Sequence, residues 1–316
     1  MGKPMEKTII KCPNCNGKNI IKYGRYGDKQ LYYCKDCQKK FMSPGLKNKT
    51  YNPVVVTNAI TYYNLGNTLE ETAKLVNRKY KVKVSKSSVH SWIKEFSDIC
   101  TYEKLRSKVM KKYKDDIIFE SSFQHSGLTY NFRYHLPKLE MLCTRFPSPT
   151  RYLKGMKNRC PSDIFKENER CSQLQFDVAI KREGRYNHAC KLAGLALEAC
   201  SRNKERHNVV ENFMLINDSS TIACEVPVWF WEKKLDMGAC GHIDILQVRQ
   251  GKIFVLDYKP EADKEKEGVV ASQLYLYASG LSFRTKIPLQ KFRCAWFDEH
   301  MYYEFNPIKS IVKMSR

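Results

Sequence analysis

With 316 residues, 42% of them hydrophobic and 12% aromatic, the chain carries enough apolar side chain for packed cores and is not a disordered polymer. No run of eighteen apolar residues occurs, and Met1-Gly2-Lys3-Pro4-Met5-Glu6-Lys7 has no apolar stretch behind it. A signal peptide and a membrane span are therefore not expected, and the chain reads as soluble and cytoplasmic. The net charge of +22 is uneven: residues 1–115 hold 25 Lys and Arg against 9 Asp and Glu, whereas residues 116–316 hold 30 against 24. A basic third that suits a polyanion is joined to a nearly balanced remainder with another task.

Along the chain, the first pattern is Cys12-Pro13-Asn14-Cys15 and Cys34-Lys35-Asp36-Cys37, a C-x2-C-x18-C-x2-C array. Each C-x2-C turn offers two thiolates to one ion, and a hairpin between the pairs brings them together. Gly24 and Gly27 mark its turn, and Gln30-Leu31-Tyr32-Tyr33 reads as the returning strand. So small a unit needs the metal to fold, and four thiolates leave no open position, so the expected zinc is structural. The other nine of the thirteen cysteines are not expected to form a disulfide framework in a chain this long without a secretory signal.

After a linker flanked by Gly45 and Pro53, three helical patterns follow. One runs from about Pro53 to Asn64. A second runs from Thr68 to about Tyr80, with Thr68 as N-cap and Glu70 and Glu71 in the first turn. The third opens at Ser85 or Ser87 and turns Val89, Trp92, Ile93 and Phe96 inward. Its other face shows Lys86, Ser88, His90, Ser91 and Lys94, side chains that reach phosphates or base edges from a recognition helix. Residues 8–97 resemble the N-terminal region of insertion-sequence transposases. The resemblance lies in Cys12, Cys15, Cys34, Cys37 and then Phe41, followed by Thr68-Leu69-Glu70-Glu71-Thr72-Ala73 and Ser85-Lys86-Ser87-Ser88-Val89-His90-Ser91-Trp92. It implies sequence-selective binding to duplex DNA.

Residues 98–180 are less informative. Lys108, Lys111, Lys112 and Lys114 form a basic run expected on a solvated linker helix, and Tyr130-Asn131-Phe132-Arg133-Tyr134 alternates like a strand. Phe146-Pro147-Ser148-Pro149-Thr150 reads as an extended break and a domain boundary. Cys143, Cys160 and Cys171 have no close-spaced pair among them and read as buried thiols.

Beyond them, a helix is expected from about Arg185 to Asn203 with Glu198 inside its apolar stretch, then strands Val209–Ile216 and Ile222–Val228. The segment Gly241 to Pro260 reads as two strands about a Gln250-Gly251 turn. Asp244, Asp257 and Lys259 stand there among Ile243, Val255 and Leu256. Charges so placed cost several kcal/mol unless partners or a metal compensate them. Asp257 and Lys259 lie two apart and share a strand face, so two carboxylates and an ammonium can hold Mg²⁺ and align a water against a phosphate. A helix from about Val269 to Leu281 carries Gln273 and Tyr277 on one face, and strands Lys291–Phe297 and Met301–Phe305 follow.

This order resembles the RecB-like branch of the PD-(D/E)XK nucleases over about residues 150–305. The resemblance implies Asp244 and Asp257 as ligands of Mg²⁺ or Mn²⁺, Lys259 as the group that positions the attacking water, Glu198 as the helix-borne carboxylate, and Gln273 and Tyr277 as an auxiliary pair beside the DNA. Glu225 competes for the carboxylate role. Iron–sulfur members of the branch have three cysteines after the nuclease motifs; only Cys294 follows them here, so no cluster is expected.

The expected fold is multidomain: a small β zinc ribbon (1–46), an all-α helix-turn-helix (50–98), a connecting region (99–149) and a mixed α/β restriction-endonuclease-like core (150–316). The expected activity is Mg²⁺-dependent hydrolysis of DNA, with DNA as partner and no membrane. The alternatives are a non-enzymatic, transposase-derived DNA-binding protein with an inactive nuclease-like domain, and a transposase proper. The last would need an acidic triad of the other transposase type, and none stands out.

Overall fold

The computed structural model describes residues 12, 15, 17–26, 29–42, 51–113, 117–125, 127–161, 163–167, 169–174, 177–200, 202–232 and 236–313. Gly27, Gly45 and Lys114, singled out above, lie outside them. The chain divides into two compact units, Met1–Val56 and Thr57–Arg316.

In the first unit, β1 (Ile20–Tyr26), β2 (Lys29–Cys34) and β3 (Lys40–Met42) form an antiparallel meander in that order. Gly24 sits at a register shift in β1 with φ +143°, a conformation open to glycine but not to a residue with a Cβ. Among the described residues, its buried cluster is Cys12, Tyr32 and Cys34, with Ile20 and Cys37 against them.

Helices α1 (Pro53–Asn64), α2 (Leu69–Tyr80) and α3 (Lys86–Glu95) match the three expected patterns. Thr68 caps α2 in a reciprocal capping box, its side chain accepting from the Glu71 amide while the Glu71 carboxylate accepts from the Thr68 amide at 2.8 Å. Ser85 caps α3. Val89, Trp92, Ile93 and Phe96 are buried.

Next come α4 (Glu103–Lys112), β4 (Ile118–His125), β5 (Leu128–His135), α5 (Leu136–Leu142), α6 (Ser148–Arg159), α7 (Ile164–Glu167), β6 (Glu169–Arg170), β7 (Asp177–Ala179), β8 (Glu183–Arg185), α8 (His188–Leu197) and α9 (Arg206–Asn217). The chain then runs through β9 (Thr221–Glu232), β10 (Met237–Arg249), β11 (Lys252–Tyr258), α10 (Glu267–Thr285), β12 (Phe292–Phe297), β13 (Tyr302–Phe305) and β14 (Ile311–Lys313). A nine-stranded mixed sheet carries the unit, in the order β4-β5-β9-β10-β11-β12-β13-β8, with β6 beside β10. The parallel neighbours β11 and β12 are joined through α10, which packs on β9, β10, β11 and β12. Arg249 pairs with Lys252 across Gln250 and Gly251, both at positive φ, as a two-residue primed turn requires. No helix among the described residues is long and apolar enough to cross a membrane.

Three sequence expectations need correction. Residues 209–216, read as a strand, lie within helix α9. Apolar and β-branched residues on both sides of Glu211 and Asn212 hide the helical period, because α9 is buried around much of its circumference, at Val210, Glu211, Phe213, Met214, Leu215 and Asn217. Residues 118–135, inside the expected connecting region, supply two strands of the main sheet. Ser148-Pro149-Thr150 opens α6, where proline in the first turn loses no hydrogen bond.

The C-terminal end of α9 rests on a buried charge. Lys138 is wholly buried, and its ammonium donates to the carbonyls of Leu215 and, at 2.6 Å, Asp218. Burial pushes its pKa down to about 7, with the Asp218 charge opposing the shift. Unfolding releases the group to its ordinary value, so between about pH 7 and about 10.4 the unfolded chain binds the extra proton. This group should therefore make stability rise with pH through that window, by up to about 1.4 kcal/mol per unit. Denaturant melts of wild type and Lys138→Met across pH 7–10 should show the slope in the former and its loss in the latter.

Candidate active site

Register brings the carboxylates together. Pairing of Ile245 with Leu256 sets Asp244 of β10 beside Asp257 of β11, while Ile243–Val226 and Ile245–Cys224 set Asp244 beside Glu225 of β9. Three carboxylates thus lie in one row across three adjacent strands. Glu225 takes φ +51° in mid-strand, an uncommon conformation for a residue with a side chain. Above the row, α9 adds His207, whose Nδ1 is 3.6 Å from Asp244 Oδ2, and Glu211. His207, Glu211 and Asp244 offer ligand atoms within 4.8 Å of one another.

Two cations balance part of this charge. Lys259, just beyond β11, has its amide fixed by the Phe297 carbonyl at 2.9 Å and its Nζ 2.9 Å from Asp257 Oδ2. Arg133 of β5 is buried, with Nη2 3.3 Å from Glu211 Oε2 and Nη1 bonded to Asn212. Asp257 is 1% exposed, so the Lys259 ammonium and the Asp244 carboxyl stand where water would otherwise solvate it.

Burial and the Asp244 charge push Asp257 well above the ordinary carboxylate range. Burial, with the charges of Glu225 and Asp244, does the same to Glu211. Glu225 rises to about 8 through burial and Asp244. Burial also opposes ionisation of Asp244, yet hydrogen bonds from His207 and Asp257, together with Lys259, bring it below its usual value. Desolvation works against the Lys259 ammonium, but Asp257 and Asp244 hold it above the usual lysine value.

Gln273 and Tyr277 of α10 are buried beside this row, with Gln273 Nε2 donating to the Tyr277 hydroxyl at 3.1 Å. Tyr277 lies across β10 so closely that a Cβ on Gly241 would meet its ring at 2.6 Å, which explains the glycine before His242. Glu198 stands at the C-cap of α8 and is not a member of the His207–Glu211–Asp244 group. The carboxylate that a helix brings to Asp244 is Glu211. His207 and Glu211 are four apart and share a helix face, a legible signal once 206–217 is known to be helical.

The chain matches no protein-family model, no curated protein and no solved structure. What the site can do follows from its side chains. Carboxylates of this kind are hard oxygen donors, and a cluster holding more of them than its two cations balance fits a divalent cation of the Mg²⁺ or Mn²⁺ type.

The basic third holds two further sites. The Sγ atoms of Cys12, Cys15, Cys34 and Cys37 lie within 4.8 Å of one another, with Cys12–Cys37 and Cys15–Cys34 each 3.5 Å apart. Those separations exceed a disulfide and approach the about 3.8 Å edge of a tetrahedral ZnS4 centre, so the four can hold a metal such as zinc. On α3, Lys86, His90, Ser91 and Lys94 are exposed, while Ser88 is half-buried with its hydroxyl 3.1 Å from that of Ser85.

Two outcomes test these sites. Arg133→Met leaves Glu211 buried without its cation and should cost about 3–5 kcal/mol in a denaturant melt; Glu211→Gln in the same chain should restore part of it. Purified protein should carry about one zinc per chain by metal analysis, and Cys12→Ser should lose it.

Proposed function

We propose that this chain is a DNA-binding, divalent-cation-dependent deoxyribonuclease of the RecB-like PD-(D/E)XK kind, brought to its substrate by the zinc ribbon and the helix-turn-helix. One observation carries the proposal: Asp257, 1% exposed, lies beside Asp244 with Lys259 Nζ at 2.9 Å, and Glu211 and Glu225 close the cluster. Four carboxylates so arranged destabilise the fold and have a use only with a counter-charge.

Asp244, Asp257 and Glu211 would hold Mg²⁺ or Mn²⁺, with Glu225 beside them. When bound, such an ion neutralises charge on a phosphodiester and lowers the pKa of water. The Lys259 ammonium, aligned by Asp257, stands where it can stabilise a hydroxide or charge developing on the phosphate. Gln273 and Tyr277 shape the wall of the site. The helix-borne carboxylate role falls to Glu211 in place of Glu198. Lys86, His90, Ser91 and Lys94 would face duplex DNA from α3, with Ser88 reserved for the helix cap.

Linear and circular duplex DNA incubated with and without Mg²⁺ tests the proposal. Wild type should cut only with the ion, and Asp257→Ala, Lys259→Ala and Glu211→Gln should each lose roughly 10²–10³-fold in rate. Equal cleavage by wild type and all three variants would refute the site. Binding without cleavage would leave a DNA-binding protein whose nuclease-like unit is inert.

A further inference from the structure

Helix α9 has one end in the acidic cluster and the other against the helix-turn-helix. His207 and Glu211 face Asp244. Six residues on, about 9 Å along the axis, Asn217 is wholly buried against α1. Its Nδ2 donates to Thr61 Oγ1 at 3.0 Å, its Oδ1 accepts from Asn64 Nδ2 at 2.8 Å, and its carbonyl accepts the Tyr102 amide at 3.0 Å. Asn64 is also wholly buried. Beside them, the Thr101 hydroxyl bridges to Ser219, donating to its hydroxyl and accepting from its amide, both at 3.0 Å.

The fastening continues toward α3. Arg106 of α4 donates from Nε to the Tyr63 carbonyl at 2.6 Å and from Nη2 to the Asn67 carbonyl at 2.8 Å, clamping the corner between α1 and α2. Its guanidinium lies 3.8 Å from the Tyr63 ring centre. Between α2 and α3, the Asn77 side chain exchanges two hydrogen bonds with the Val84 backbone, at 2.9 and 2.6 Å.

Every joint from α3 to Glu211 is thus made by directional bonds, the Asn64–Asn217 bond fully buried and the others partly so. A buried amide pair contributes little net stability but tolerates one geometry, because a slipped partner leaves polar groups unsatisfied. A tethered recognition module would instead be joined by exposed Gly-, Ser- or Pro-rich chain.

We propose that α9, through Asn217 and Asn64, fixes the register between the recognition helix and the acidic cluster, so that the cluster meets duplex DNA at one set distance from the sequence α3 binds. This rests on the DNA-binding and cation-binding readings above, and adds that the site of attack is positioned and not wandering.

The test separates register from hydrolysis. An end-labelled duplex carrying a sequence that the protein enriches from a randomised pool is bound by protein loaded with Fe²⁺ in place of Mg²⁺. Ascorbate and peroxide then cut the strands by hydroxyl radical wherever the ion lies, whether or not the protein hydrolyses DNA. Wild type should give one short cluster of cuts on each strand at a fixed offset. Asn217→Ala and Asn64→Ala should keep their DNA affinity, since the exposed face of α3 is untouched, but spread that cluster severalfold. If Asn217→Ala fails to fold, Arg106→Gln loosens the α1–α2 corner and serves in its place. Wild-type cuts scattered over several helical turns, no cuts near the bound sequence, or variants with an unchanged pattern would overturn the proposal. A tight iron-directed cluster without Mg²⁺-dependent hydrolysis would uphold the register and refute the nuclease reading.

Discussion

Packing two buried carboxylates, Glu211 and Asp257, beside two half-buried ones, Glu225 and Asp244, is the constraint that orders the large unit. Glu225, Asp244 and Asp257 come from consecutive sheet strands and Glu211 from α9, and carboxylates this close cannot all ionise without counter-charge. The fold supplies two cations from far apart in sequence: Lys259 at the end of β11 and Arg133 from β5. The second requires β4 and β5 to belong to the main sheet, since only a strand beside β9 can hand a guanidinium to Glu211. Removal of one partner from such a buried pair costs more than the pair contributes, so the hairpin is bound to the cluster by electrostatics as well as by backbone ladders.

Charge is segregated accordingly. The acidic groups sit inside the sheet-based unit, whereas α3 turns Lys86, His90 and Lys94 to solvent. Among the described residues of the first unit, Cys12, Tyr32 and Cys34 form the buried cluster, so a metal held by the four cysteines would add directly to its stability. A polyanion attracted by the exposed cations would meet the acidic cluster only with its repulsion relieved, which is what a divalent cation does between carboxylate and phosphate.

Local chemistry was legible from the sequence, and tertiary chemistry was not. The Thr68 cap, the primed turn at Gln250 and Gly251, the cysteine spacing and the placement of Asp257 and Lys259 on one face all follow from short-range rules, and the structure has each of them. Glu211 was hidden because apolar and β-branched residues dominate Val209 to Ile216, so a helix buried on several sides looks like a strand, and the nearest helical glutamate, Glu198, took its place. Arg133 was hidden for a different reason: its task depends on β5 lying beside β9, a pairing across nearly ninety residues that no local pattern encodes. Gly241 was visible as a letter but not as a cause, since only the Tyr277 ring explains it.

The charge balance of the cluster bears on the kind of ion that the proposed function would place there. Four carboxylates against one guanidinium and one ammonium leave two negative charges, the complement of a single divalent cation. Without the ion, protons must fill the gap, and the upward displacement of Glu211, Asp257 and Glu225, the last to about 8, is that demand expressed as acidity. Asp244 moves the opposite way because His207 and Lys259 already serve it. The cluster thus favours one ionised carboxylate beside neighbours that favour their protons, an arrangement a divalent cation would reverse under the proposed function. A purely structural acidic patch would have no reason to bury both Asp257 and Glu211 to 1% exposure beside two further carboxylates.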